Sequence, residues 1–146
     1  MTDLEQARQL LEEDGYTCVL CGGGMVHTSR QTGIRPMVEF LTRGTDLRGC
    51  SAADKIVGRA AALLFALAGV TAVHGQVMSR GARQELEARG IRASWDILAD
   101  EIINRAGTGR CPMERAVEGI SDPVLALEAV RRTLEELKRG AQAISG

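Results

Sequence analysis

The chain has 146 residues, a mass of 15.6 kDa and a net charge of −1, long enough to bury a core as one domain, 1–146, without staples. Hydrophobic residues make up 45% and aromatics only 3%, which argues against disorder and calls for a core of closely packed Ala, Leu, Ile and Val. With an isoelectric point near 6.1 the chain lacks the basic balance that nucleic acid demands, so no nucleic-acid partner is expected. The longest stretch without a charge, Ala60 to Ser79, is interrupted by Gly69, His74, Gly75 and Gln76, so no membrane span is expected. The acidic, amphipathic start Met1-Thr2-Asp3-Leu4-Glu5 is unlike a secretory signal, and a cytoplasmic protein is expected.

Taken in chain order, Asp3 to Glu13 carries Leu4, Ala7, Leu10 and Leu11 at helical spacing and is stopped by Asp14-Gly15. Tyr16 to Cys21 and Met25 to Ser29, joined by Gly22-Gly23-Gly24, predict a hairpin. Pro36 suits the first turn of a short helix through Leu41, which Gly44 ends. A short strand is predicted around Asp46 to Cys50, then a central helix entered at Ser51-Ala52-Ala53-Asp54-Lys55 and apolar on nearly every face from Ile56 to Ala68.

Thr71 to Met78 predicts a strand, Arg80 to Arg89 a helix closed by Gly90, and Ile91 to Trp95 a weaker strand. Asp96 to Asn104 reads as a helix, with a strand ending near Asn104 as the alternative. After the Gly-rich loop Ala106 to Arg110, Cys111-Pro112-Met113-Glu114 starts a helical turn. A C-terminal helix over 122–139 places Leu127, Val130, Leu134 and Leu137 on one stripe, with charges opposite that include Glu128 and Arg132 four apart. The alternation of strands and helices predicts an α/β fold, a three-layer α/β/α sandwich on a mixed sheet of about five strands.

Chemistry-bearing residues are few. Cys18 and Cys21 are three apart on a strand and so point to opposite faces, while Cys50 and Cys111 lie far off, so no metal and no cofactor is expected and the thiols read as free. Ser51 and Asp54 have the spacing of a helix cap. Sixteen of the eighteen cationic side chains are arginine, so Lys55 is an unusual choice, read either as an amine that contacts an anion or as a surface lysine. Asn104 and Arg105 precede the Gly-rich loop, and Cys111 stands at a helix start, either as a nucleophile or as helix entry.

The order of elements resembles the zinc nucleoside deaminases. Aligned so, Asp54-Lys55 falls where their His-x-Glu would be, and Ser79 and Ala82 fall where two thiolates would be, which leaves no zinc site. Four blocks, Asp54 to Ala62, Val77-Met78-Ser79, Ile103-Asn104-Arg105 and Cys111-Pro112-Met113-Glu114, resemble a family of short bacterial and archaeal proteins, a domain of unknown function, from Leu4 to Val117. The resemblance implies a cytidine-deaminase-like fold without its zinc ligands and no assigned reaction. It points to Asp54, Lys55, Ser79, Asn104, Arg105, Cys111 and Glu114 as candidate ligand-binding residues, with Arg59 where the family is expected to carry lysine.

Three functions follow as expectations. The first is a module that binds a small anionic ligand, such as a nucleotide or an ADP-ribose-type compound, through Lys55, Arg105 and helix N-terminal amides. The second is a metal-independent enzyme with Lys55 or Cys111 as nucleophile and Asp54 or Glu114 as general acid/base. The third is a structural or regulatory subunit assembled through its C-terminal helix, and a homodimer is expected.

Overall fold

The computed structural model describes residues 1–104, 107 and 109–145. Its elements are α1 (Asp3–Glu13), β1 (Cys18–Gly22), β2 (Met25–Ser29), α2 (Arg35–Thr42), β3 (Ser51–Val57) and α3 (Arg59–Ala68). They continue with β4 (Ala72–Ser79), α4 (Arg80–Ala88), β5 (Arg92–Ala99), α5 (Pro112–Ala116) and α6 (Pro123–Ser145). The result is an α/β fold, a five-stranded mixed sheet in the order β2-β1-β3-β4-β5 with helices on both faces. β1 runs antiparallel to β2 and β3, whereas β3, β4 and β5 are mutually parallel.

Two sequence expectations are corrected here. Residues 51–57 form a strand, not the start of the central helix, and the segment 46–50 expected as a strand is a turn. The entry at Ser51 to Lys55 and the apolar run from Ile56 to Ala68 read as one helix because a strand covered on both faces loses its polar alternation and merges with the buried helix after it. Gly58 is the break, with extended backbone between strand and helix. The cap expected from Ser51 and Asp54 therefore does not exist, and Asp54-Lys55 lies within a strand and not at the start of a helix.

The second correction is β5. Residues 96–99, expected as helix, extend the strand because Ile97 and Leu98 pair with Val77 and Met78. Their contiguous apolar side chains, together with Ile102 and Ile103, imitate helical spacing, but the ladder from β4 decides.

Packing divides into three regions. On one face α1 sets Ala7 and Leu11 against Val19, Cys21 and Ala53. On the other, Leu20, Ala52, Val57, Val73 and Met78 meet Met37 and Phe40 of α2, Leu64 and Phe65 of α3, and Leu86 of α4. Outside α3, Ala60 and Leu63 pack against Met113 and Val117 of α5 and Ala126 and Val130 of α6, so this side is two helices deep. That is why α3 is apolar all round. No helix is long and apolar enough, among the described residues, to cross a membrane.

One irregularity crosses the parallel strands. The register runs Asp54↔Gly75↔Trp95 and resumes at Ile56↔Val77↔Ile97, passing over Lys55, Gln76 and Asp96. The alternation of side chains shifts at that row, so that Val57 and Met78 turn into the α3-side core while Ile56 and Ile97 stay exposed.

Candidate functional site

Ligands of parallel sheets lie beyond the carboxyl ends of the strands. Here those ends carry most of the family-signature residues. Glu114, on α5, is buried and turns its carboxylate onto the first turn of α3: Oε1 accepts from the amide of Arg59 at 2.7 Å and Oε2 from that of Ala60 at 2.8 Å. It is the cap that Gly58 cannot supply. A Cβ at Gly58 would collide with Oε1 of Glu114 and lie 2.7 Å from its Cδ, so glycine at 58 is the condition for this contact.

Arg59 closes the same corner. Its Nε lies 3.1 Å from Glu85 Oε1, Nη1 donates to the Val117 carbonyl at 2.8 Å, and Nη2 donates to the Ile120 carbonyl. Glu85 also accepts from Arg89 Nε at 2.8 Å. A lysine at 59 could not serve these divergent acceptors, which gives arginine a structural reason there. Ser79 likewise caps α4, its Oγ accepting from the Ala82 amide at 3.0 Å. A Cβ at Gly81 would be 3.9 Å from both Arg59 Cβ and Ser79 Oγ, so the two helix starts stand side by side.

The other candidates spread outward. Cys111 is the half-buried residue before α5 and packs on the second core cluster. Asn104 sits in a turn, its amide donating to the Gly109 carbonyl at 2.8 Å and its carbonyl accepting from Gly107 at 3.0 Å. Arg105 lies outside the described residues. Lys55 is exposed near the end of β3 and makes no ion pair with a described residue.

Asp54 differs from all of these. It is 6% exposed, on the α3 side of the sheet between Cys18 on β1 and Gly75 on β4. Burial pushes its pKa up to about 7. Hydrogen bonding from the Ile56 and Lys55 amides and from Cys18 only partly offsets that. The Cys18 thiol is itself pushed well above its ordinary value, first by burial and then by Asp54. Near neutral pH the pair is a protonatable carboxyl beside a thiol.

A second polar cluster escaped the sequence reading. His74, 3% exposed, receives α1 on the far face of the sheet; its Nδ1 is 2.8 Å from Ser94 Oγ and its Nε2 is 3.2 Å from Asp96 Oδ1, without hydrogen-bond geometry. Arg8 of α1 approaches the same oxygen at 3.9 Å. Burial, then the Arg8 charge, lowers the His74 pKa. Ser94 and Asp96 show strand alternation in the sequence, and reading 96–104 as helix hid it. Among the described residues no group of three or more His, Cys, Asp or Glu could hold a metal ion.

Against known proteins, the model of a domain of unknown function, TM1506 (DUF1893), matches residues 6–134. The chain belongs to the DUF1893 family. A solved DUF1893 family protein, TM1506 from Thermotoga maritima, superposes with a TM-score of 0.78 at 26% identity, covering 93% of this chain and 91% of that one. No curated protein matches. Three of the four blocks by which the sequence resembles the family thus resolve into helix caps (Ser79, Glu114), a corner clamp (Arg59) and the Asp54-Lys55 step on β3.

Two measurements check this assignment. Glu114→Ala should lower stability by about 2–6 kcal/mol by orphaning two amides, about 1–3 for each. Gly58→Ala should cost a similar amount in the native chain but much less alongside Glu114→Ala, since the obstacle is gone. Additive losses in a four-member denaturation cycle would exclude the contact. For Asp54, a folded pKa above the unfolded value adds stability that is complete below pH 4 and lost as pH rises through about 7. Asp54→Asn should therefore gain on the native chain between pH 4 and 8, by at most about 4 kcal/mol. A gap between the two that does not change with pH would show that Asp54 is ionised throughout.

Proposed function

We propose that this DUF1893 chain is a metal-free binding module of cytidine-deaminase-like architecture for a small anionic ligand of the nucleotide or ADP-ribose type. The architecture is read from the order of hairpin, helix and alternating parallel strands and helices. The observation that carries the function is the Asp54-Lys55 step, a buried carboxyl followed by an exposed amine where the parallel ladder is interrupted. Interrupted strands at a sheet's carboxyl end re-aim side chains beside sites.

The amides that open α3 are held by Glu114, so they are not free to receive an anion as the sequence suggested. The anion falls to Lys55, joined by Arg105 on the strength of the sequence alone. Asp54, protonated in part near neutral pH, offers a hydroxyl to a neutral acceptor on the ligand. The same occupancy weighs against Glu114 as general acid/base, because both its oxygens already accept hydrogen bonds.

Native and denaturing intact mass of the purified protein comes first, followed by thermal shift with ADP-ribose, AMP and inorganic phosphate. A nucleotide that raises the melting temperature of the native chain should bind Lys55→Ala about tenfold or more weakly. A bare native mass and no shift with any of the three would sink the proposal.

A further inference from the structure

The charges of α6 are left unused by the fold around them. Elsewhere Arg59, Arg80, Arg83, Arg89 and Arg110 each meet a carboxylate. On α6, Glu128, Arg131, Arg132, Glu135, Glu136 and Arg139 form no ion pair among the described residues, not even Glu128 with Arg132. All six border a groove of about 1110 Å³ between α6 and α2, whose far wall includes Arg35, Val38 and Glu39. Glu128, Arg131, Arg132, Glu135 and Arg139 recur every three to four residues and so form one stripe along the groove.

The shape suits a helix. A helix about 10 Å across takes up roughly 120 Å³ per residue of rise, so the groove encloses about nine residues of a helix, most of the Glu128 to Arg139 span, and leaves the ends outside it. We propose that its occupant is α6 of a second copy, lying antiparallel about a two-fold axis between Thr133 and Leu134. Antiparallel helices set opposite one another the residues equidistant from that axis. Glu128 then faces Arg139 of the second copy, Arg131 faces Glu136, and Arg132 faces Glu135.

These three pairs are of opposite sign, and the symmetry makes each twice; Lys138, which also borders the groove, faces Ala129 and takes no part. A parallel second copy would put like charge on like charge, which is repulsive. The arrangement is also reciprocal: each α6 lies between the α2 and the α6 of the other copy, giving the order α2, second α6, first α6, second α2. The inference rests on α6 and its groove alone, independently of any ligand at Lys55.

The test is a pair of charge-block variants of the full chain, followed by sedimentation and multi-angle light scattering. Arg131→Glu with Arg132→Glu makes the centre of α6 wholly acidic; Glu135→Arg with Glu136→Arg makes it wholly basic. The native chain should be a dimer at about 100 µM, and its dissociation constant should weaken roughly tenfold between about 0.05 M and about 0.5 M NaCl. Each variant alone should be monomeric, and an equimolar mixture should restore a heterodimer. A monomeric native chain, or variants that remain dimers alone, would overturn the proposal. Should a block variant fail to fold, an equimolar mixture of Arg132→Cys and Glu135→Cys decides: the two thiols face one another across the axis and should cross-link on mild oxidation, where the native chain with Cys111 does not, and no added cross-link overturns the antiparallel register.

Discussion

A single carboxylate holds the architecture together. The α3 helix leaves the sheet after a glycine that has no side chain to cap it, and it is buried on every side, so its first amides are shut away from water. Unpaired, they would cost the fold a desolvation penalty of about 1–3 kcal/mol each. Glu114 meets two of them from 55 and 54 residues away, and to do so it fixes α5 against α3. Arg59 then binds the carbonyls that follow α5 and draws in Glu85 of α4. The helical side of the sheet is thus assembled around one corner, and α6 covers what that corner leaves apolar.

Much of what the four blocks of resemblance contain is architectural in this chain. Cys-Pro-Met-Glu starts α5, and each of its last three residues has a task there: Pro112 sets the first turn, Met113 fills the second core cluster and Glu114 caps α3. Asp54 and Lys55 stand apart. No helix end or core contact requires a carboxyl inside a sheet or an amine at its surface, and a residue pair that the fold does not use is where a binding role is most economically sought.

How far the sequence disclosed this depends on the element. The helices α1, α2 and α4 were legible because each has one buried and one open face, ending at glycines such as Gly15, Gly44 and Gly90 that adopt positive φ, and the hairpin because Gly23 and Gly24 mark its turn. The strand β3 was not, because Ala52 and Ala53 face α2/α3 on one side and α1 on the other, and a strand so covered carries no alternating signal. The candidate list found Glu114 and Ser79 as signature residues but not their capping roles, since Glu114 acts across the fold on a helix whose start had been placed eight residues early. Arg59 was read as a departure from lysine and is a clamp; His74 with Ser94 and Asp96 depended on a strand read as helix.

The two buried titratable groups have one further effect, on protons exchanged with solvent. Asp54 has a raised pKa, so folding at mildly acidic pH takes up a proton there; His74 has a lowered one, so folding in the same range releases a proton. One lies on each face of the sheet, and their contributions oppose. Part of the proton taken up at Asp54 is thus returned at His74, so the calorimetric enthalpy of folding depends less on the ionisation heat of the buffer than Asp54 alone would make it. The chain carries a buried acid and a buried base whose responses to acidity counter one another.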